Sequence, residues 1–344
     1  MSTTAPRRRA ERAPRRSRLR RPGRRFGVGT WVLLLLVGIG CLAFGATPDA
    51  PAWVGEAGGV LVAVMFTAGL VARTGGRTYV YGALALALGA AVVVTDEPML
   101  RTGAAVLTCV VTAVFAVMAT VPAVTTLQAV REVLVAMLIA LVGAAAVVGL
   151  EPTISLSRFA YTTLGASLAL AFLVVFRLGA GLHGLGRRGL VVVLIGSVVL
   201  ALTLAYAEVL RRYGAPELVD TLLEGRQWAL ETLHGAPRPV QALLGVPALM
   251  WGVHMRARRR QGWWVCAFGV TAAAQVTHTF LDPSLTLVEA GLTTLYSVIL
   301  GVLVGAVIIR LDLLLTRSRP GRRARTDDSV AALRPEPGRT QPLL

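Results

Sequence analysis

Long, unbroken runs of apolar residues dominate the chain, and short polar stretches separate them. The runs do not alternate between apolar and polar positions, so they predict helices and not half-buried strands. A helix crosses the hydrocarbon core of a bilayer with about 20 residues, and it satisfies its own backbone hydrogen bonds in lipid. The ten predicted transmembrane helices lie near residues 27–46, 58–72, 78–95, 104–125, 131–150, 159–177, 189–208, 239–255, 262–281 and 289–310.

Two of the ten runs are weak when each is taken alone. The run 58–72 is short, and the run 239–255 contains Gln241, Pro247 and His254. Omitting either run would reverse the predicted orientation of every later segment. Proline is tolerated in membrane helices, and the distribution of charge along the chain favours keeping both runs.

The arginines test this count, because cytoplasmic loops of membrane proteins carry an excess of basic residues. All 35 basic residues of the chain are arginines. With ten spans and a cytoplasmic N-terminus, 29 of the 35 arginines fall on the cytoplasmic side, and 12 of the 18 acidic residues fall on the outer side. This asymmetry predicts an all-α polytopic membrane protein with both termini in the cytoplasm.

The composition agrees with a membrane protein, since only 15% of the residues are charged and soluble domains carry about 25%. The net charge of +17 does not indicate nucleic-acid binding, because the arginines lie at the chain ends and in short loops. Basic residues beside a span predict attraction to anionic lipids. The complete absence of lysine and the abundance of Ala, Gly, Val and Leu are typical of a GC-rich genome. We therefore expect the plasma (inner) membrane of a bacterium.

The cysteines give no sign of a disulfide framework or a metal site. Cys41, Cys109 and Cys266 all lie inside apolar runs, and none has a partner at metal-ligand spacing. We interpret them as small packing residues. The sequence predicts neither a cofactor nor a metal.

The connecting segments differ in character. Residues 1–25 and 317–344 are rich in Arg and Pro and predict disordered cytoplasmic tails on either side of a transmembrane bundle at 26–316. The one long outer loop, 209–238, contains a stretch with helical periodicity between Pro216 and His234. Its apolar and acidic residues occupy opposite faces, which predicts an amphipathic helix that lies on the outer membrane face, caps the bundle or docks a partner.

A glycine pattern between the sixth and seventh spans resembles a dinucleotide-binding turn. Gly179, Gly181 and Gly184 have the G-x-G-x-x-G spacing, but that fingerprint requires a strand before it and a soluble helix after it. Here a predicted span lies on each side. We interpret the stretch as a cytoplasmic turn and expect no nucleotide to bind.

The best candidate site lies on the ninth span. Gln275, His278 and Asp282 share one helical face and could contact a substrate or shuttle a proton from the outer side. A structural interpretation remains open, since Asp282 is followed by proline as at a helix end, and Gln275 can hydrogen-bond a neighbouring helix. Thr286 and Glu289 fit a capping box that opens the tenth span. No Asp, Glu, Arg or His lies near the centre of any predicted span.

Three classes of function follow. The first is a permease for a small neutral or amphiphilic solute, such as a lipid precursor, because ten short-looped spans are typical of transporters and five plus five permits an inverted repeat. The second is an accessory or scaffold protein that binds another membrane protein. The third is an embedded transferase that uses His278, Asp282, Glu208 or His234 at the outer face. A non-enzymatic role is favoured.

Overall fold

All regular elements that the structure describes are helices. The computed structural model describes residues 22–95, 97–180, 191, 194–198, 200–202, 216–258, 262–317 and 336–343. The helices are α1 (Pro22–Gly45), α2 (Ala52–Arg73), α3 (Thr78–Thr95), α4 (Pro98–Met118), α5 (Thr126–Gly149), α6 (Leu156–Val175), α7 (Pro216–Leu233), α8 (Val246–Arg256), α9 (Gly262–Ala267), α10 (Gly269–Phe280) and α11 (Leu287–Arg317). A π-helical turn, Phe176–Ala180, continues α6, and another, Val240–Gly245, leads into α8.

Seven of the described helices, α1 to α6 and α11, are long and apolar enough to cross a membrane. The prediction of an all-α protein with many apolar helices is therefore confirmed, and the helices indicate a membrane location. The predicted eighth and ninth spans fall on the shorter pieces 240–256 and 262–280. The predicted seventh span lies mostly outside the described residues.

The second helix is longer than its sequence predicts. The apolar run was limited to 58–72, but α2 begins at Ala52 and reaches Arg73. The first turns of α2 are not recognised as part of the apolar run because they include Glu56. This carboxylate is largely buried and forms an ion pair with Arg101 of α4, so the charge is compensated inside the protein.

The weak eighth and ninth spans lie at the centre of the bundle. Nearly every residue of α8, α9 and α10 is buried by the other helices. In contrast, only 6% of the apolar window of α1 and 11% of that of α3 are buried. A helix surrounded by protein does not need an apolar surface on all sides, which explains why the central helices tolerate Gln241, Pro247 and His254.

Contacts between helix ends define two opposite ends of the bundle. At the end that we call the tail end, Arg73 at the end of α2 donates hydrogen bonds to the carbonyl oxygens of Met118 and Thr120, just after α4. Arg256, at the end of α8, also donates to Thr120. At the opposite end, Arg101 in the first turn of α4 pairs with Glu56 near the start of α2.

Small residues allow the last helix to approach the centre closely. Gly301 and Gly305 of α11 form the G-x-x-x-G pair of the sequence. A Cβ at Gly301 would lie 2.6 Å from the Cβ atom of Val246, and one at Gly305 would lie 2.8 Å from the Sδ atom of Met250. The pair therefore packs against α8 inside the bundle, as small residues commonly do between membrane helices.

The predicted amphipathic stretch of the outer loop forms helix α7. Its end is attached to the first turns of α11. The Tyr296 hydroxyl donates to the Leu233 carbonyl oxygen at 3.1 Å, and the Ala236 amide donates to the Thr293 hydroxyl at 3.2 Å. Trp228 and Leu233, in the last two turns of α7, are exposed.

Part of the C-terminal tail lies against the bundle. The sequence assigns all of 317–344 to a disordered tail, but α11 extends to Arg317 and residues 336–343 contact the tail end. The amide of Leu343 donates to the Arg73 carbonyl oxygen at 2.8 Å. The composition of this segment did not reveal these contacts, because they are polar and join residues far apart in the chain.

Candidate functional site

Two of the three predicted site residues contact each other on α10. The Nδ1 atom of His278 lies 3.2 Å from the Oε1 atom of Gln275, one helical turn away. The Nε2 atom of His278 lies 2.7 Å from the hydroxyl oxygen of Thr163 on α6. All three side chains are buried. They form a hydrogen-bonded chain that joins two helices.

The hydrogen bonds between Thr163, His278 and Gln275 are compatible with a neutral imidazole. The Thr163 hydroxyl also lies 2.7 Å from the Phe159 carbonyl oxygen, and a hydroxyl has only one proton to donate. If it donates to Phe159, it accepts from Nε2 of His278. If it donates to His278 instead, the imidazole proton sits on Nδ1 and is donated to Gln275. In either neutral tautomer the ring proton therefore has an acceptor, and only the Nδ1 tautomer bonds to both partners.

Asp282 is not part of the hydrogen-bonded chain of Gln275, His278 and Thr163. Its carboxylate accepts a hydrogen bond from Arg238 at 2.9 Å and others from the hydroxyl and the amide of Ser284 at 2.7 and 3.2 Å. Partial burial acts to raise the pKa of Asp282, but the hydrogen bonds from Ser284 and Arg238 outweigh it and hold the pKa below its ordinary value. The expected contact of Asp282 with the imidazole of His278 is not formed.

Further polar side chains line the same region of the core. The Cys109 thiol of α4 lies beside the hydroxyls of Thr163 and Thr277. Ser167 follows Thr163 by one turn on α6, and Thr112 follows Cys109 by about one turn on α4. We call this set the polar seam, and its members are Cys109, Thr112, Thr163, Ser167, Gln241, Gln275, Thr277 and His278.

The register of two antiparallel helices places Gln241 in the seam. Gly245 lies against Ala272, and Gly252 lies against Cys266. Extending that register by one turn puts Gln241 level with residues 276–277. Its Nε2 atom lies 3.9 Å from the sulfur atom of Met137 on α5. Gln241 therefore links the π-helical turn to α5 at the level of Thr277.

Several polar atoms of the seam have no hydrogen-bond partner within the described protein. They are the Thr112, Ser167 and Thr277 hydroxyls and the Oε1 atom of Gln241. All four residues are essentially fully buried. Unsatisfied buried polar groups are costly, about 1–3 kcal/mol each, so each calls for an explanation. Other unpartnered atoms of the described residues lie outside the seam, on Trp251, His254 and Arg256.

The seam lies beside an irregular stretch of the central helices, because the segment Val240–Gly245, which carries Gln241, is π-helical. A turn at Phe268, about two helical turns before Gln275, separates α9 from α10. π-Helical turns are frequent at functional sites. Discontinuous helices near the middle of the bilayer are also typical of transporter substrate sites.

The remaining predicted residues do not belong to the seam. His234 follows α7 with a backbone φ of 52°, beside the start of α11. Glu208 lies outside the described residues, as do Gly181 and Gly184 of the glycine pattern. Thr286 and Glu289 form the expected capping box, with hydrogen bonds of 2.7 and 3.3 Å between amide and side chain.

Sequence reasoning missed Thr163, Gln241 and Arg238 as neighbours of the site. The sequence marks Arg238 only as a charge of the predicted outer loop, and nothing in the local sequence links Thr163 to a residue 115 positions later. Among the residues that the structure describes, no group of three His, Cys, Asp or Glu side chains is arranged to hold a metal ion.

Comparison with known proteins gives no assignment: no family model, curated protein or solved structure matches this chain.

Proposed function

We propose that the protein is a permease-like membrane protein for a small neutral or amphiphilic solute, and that the polar seam is its solute site. One observation carries this proposal: four seam residues, on α4, α6, α10 and the π-helical turn Val240–Gly245, bury polar atoms that have no partner within the described protein. A solute with hydroxyl, amide or ether groups would supply the missing hydrogen bonds, which favours binding at this place over the rest of the core.

The chemistry of the seam favours a solute without charge. It offers hydroxyl, thiol and amide groups and an imidazole, and no seam member is a carboxylate or a guanidinium. A charged solute would lose its hydration without an opposite charge in the site. A polar head with an apolar body, as in a lipid precursor, also fits a site lined by Val and Ala residues. Gln275 and His278 are the proposed contact residues, and Thr163 positions the imidazole.

Arg238 and Asp282 are placed to act as a gate between the polar seam and the opposite end of the bundle. Asp282 lies two residues after the end of α10, one turn beyond His278. Its partner Arg238 lies just before the π-helical turn that carries Gln241. The pair is partly exposed, with 27% of the Arg238 side chain and 14% of the Asp282 side chain accessible. Breaking it would free the ends of both interrupted segments.

The proposal includes ten spans with both termini cytoplasmic, in the plasma membrane of a bacterium. The arginine distribution supports it, as does the alternation of helix ends between the two ends of the bundle. On this topology, the opposite end with Arg238 and Asp282 faces outwards, and the tail end faces the cytoplasm. Arginines of both tails would then lie near anionic lipid.

An accessory role is the second candidate, because exposed Trp228 and Leu233 near the end of α7 suit contact with another membrane protein. In that case the polar seam only holds helices together. The transferase hypothesis is weaker, since Asp282 pairs with Arg238 and so does not orient His278. An enzymatic function is not favoured.

Cysteine accessibility tests the gate and the seam together. Cys41, Cys109 and Cys266 are replaced by alanine, and single cysteines are introduced at positions 271, 275, 278 and 282 in the intact membrane. An impermeant maleimide is added from outside. We expect Arg238→Gln to increase the labelling rate at position 275 about fivefold, the ratio that corresponds to the roughly 1 kcal/mol of a partly exposed ion pair.

Arg158→Gln is the matched control, because Arg158 is an exposed arginine at the same end of the bundle, near the start of α6. It should leave the labelling rates unchanged. Labelling at 282 alone, with positions 275 and 271 unreactive in both the wild-type and the Arg238→Gln background, would exclude a solute path and favour the accessory role.

A further inference from the structure

A fully buried arginine at the tail end has an acidic partner from the C-terminal tail. The side chain of Arg256 is inaccessible. Its guanidinium donates to the Thr120 hydroxyl at 2.7 Å and to the Thr120 carbonyl oxygen at 3.2 Å. The Trp263 ring covers it, with 3.5 Å between the guanidinium carbon and the ring centroid. Glu336 completes the site, 2.6 Å from the guanidinium.

A second arginine borders the same site. Arg73 donates to the Met118 carbonyl oxygen at 2.9 Å and to the carbonyl oxygen of Thr120 at 3.4 Å. Its remaining nitrogen points to the tail, where it donates to carbonyl oxygens of residues 337, 338 and 341. The two guanidinium groups therefore converge on Thr120.

The described bundle does not balance these two charges by itself. Its buried acid at this end, Glu132, accepts from the neighbouring Arg131, from the Val121 amide and from Arg339 of the tail. Glu336, which the tail contributes, is the carboxylate that contacts Arg256. A buried charge without a partner is strongly destabilising, so the bundle is built to hold an anionic group here.

We propose that Arg73, Arg256, Thr120 and Trp263 form an oxyanion-binding site, and that Glu336 occupies it as an intramolecular ligand. Guanidinium groups are well suited to phosphate and carboxylate oxygens. The external ligand is an oxyanion, either the phosphate of an anionic lipid or free phosphate, that takes the place of the Glu336 carboxylate. This proposal is independent of the solute site, which lies towards the other end of the bundle.

The tail is bound in a way that permits exchange. Residues 338 and 340–342 are exposed, and Leu343 packs against the core. Glu336 and Arg339 form ion pairs with the bundle, and backbone groups of the tail exchange hydrogen bonds with Arg73. An oxyanion with comparable hydrogen bonds can therefore compete with the carboxylate without loss of a packed core.

Thermal unfolding of the full-length protein in neutral detergent tests the site. Inorganic phosphate is added at constant ionic strength, so that general screening does not change. We expect phosphate to raise the unfolding midpoint of the Glu336→Gln variant by about 2–4 °C and that of the wild type by much less, because a ligand stabilises only the site that it can occupy. Glu97→Gln, an exposed acid at the opposite end, is the matched control and should behave as the wild type.

A second arm distinguishes the two sources of phosphate. The same variants are compared in bilayer discs of phosphatidylcholine alone and of phosphatidylcholine with phosphatidylglycerol. A shift in the Glu336→Gln variant with free phosphate identifies a soluble oxyanion. A shift that occurs only with phosphatidylglycerol identifies a lipid headgroup.

Double variants test whether the rise of the unfolding midpoint in the Glu336→Gln variant depends on the two arginines of the site. Arg256→Gln combined with Glu336→Gln should abolish it, and Arg73→Gln combined with Glu336→Gln provides the same test if the first does not fold. The proposal is wrong if neither anion source shifts the Glu336→Gln variant more than the wild type, or if the response survives both double variants.

Discussion

The imidazole of His278 has two partners, and each constrains where its proton lies. Thr163 on another helix and Gln275 on the same helix contact its two ring nitrogens. Phe159 packs edge-on against the ring, with 6.0 Å between centroids. The residue is therefore held in one orientation by groups that stay neutral, which suits recognition of a neutral solute better than proton transport.

Replacing Thr163 by valine tests how much this orientation contributes to stability. Valine keeps the shape of the side chain but leaves the Nε2 atom of His278 buried without a partner. We expect the free energy of unfolding to fall by about 1–3 kcal/mol, measured by denaturant unfolding in mixed micelles.

Thr108→Val is the matched control for this substitution. Thr108 is also buried on a membrane helix, but its hydroxyl donates to its own helix, to the Ala104 carbonyl oxygen. Loss of the Thr108 hydroxyl should change the free energy of unfolding by no more than about 0.5 kcal/mol. Equal effects of the two substitutions would mean that the contact of Thr163 with His278 contributes nothing.

At the scale of the elements, a close backbone contact joins the two interrupted central segments. A Cβ added at Gly245 would lie 2.4 Å from the Ala272 nitrogen and 2.7 Å from the Thr271 hydroxyl oxygen. Backbone atoms cannot move aside as a flexible side chain can. The register that places Gln241 in the polar seam thus depends on a glycine at this position.

Gly245→Ala should therefore destabilise the protein by about 1–3 kcal/mol through overpacking and should alter maleimide labelling at position 275, because the two segments move apart. Gly165→Ala is the control, since a Cβ at Gly165 meets nothing within 4 Å. It should be neutral or stabilising by up to about 1 kcal/mol, from the better helix propensity of alanine. A Gly245→Ala variant as stable as Gly165→Ala would contradict the close packing.

The helices themselves were largely predictable, and the exceptions have a physical cause. Apolar composition over 20 residues reports contact with lipid, so α3 and α11, which the described protein leaves mostly uncovered, are clearly indicated by the sequence. The early turns of α2 were missed because Glu56 is neutralised by a residue 45 positions away. The segments 240–256 and 262–280 were weak signals because protein, not lipid, surrounds them.

At the scale of the whole molecule, the number of spans depends on whether residues 240–256 cross the membrane. Single cysteines at Thr232 and Arg258, both exposed, lie on the two sides of this segment. In a background without native cysteines, we expect labelling of position 232 by an external impermeant maleimide, and labelling of position 258 only after permeabilisation. Gly76→Cys, after α2, should behave as position 258, because the two lie at the same end of the bundle.

Labelling of positions 232 and 258 from the same side would show that residues 240–256 do not cross. The predicted cytoplasmic C-terminus would then be wrong, and the oxyanion site would be excluded as well if position 76 stays on the inner side, because Arg73 and Arg256 could not meet at Thr120. The arginine distribution argues against this outcome, because four arginines lie at 256–260 and would then be placed outside.

The sequence by itself determined the helical class, the membrane location, the amphipathic helix α7 and the capping box at α11, because each follows from neighbouring residues and from contact with lipid or water. Only the tertiary structure decided that Thr163 joins His278, that Asp282 pairs with Arg238, and that Glu336 reaches Arg256. These partners are 115, 44 and 80 residues apart. Which of many threonines, arginines and glutamates meet depends on how the helices pack, and the packing of apolar helices in lipid leaves no periodic mark in a single sequence.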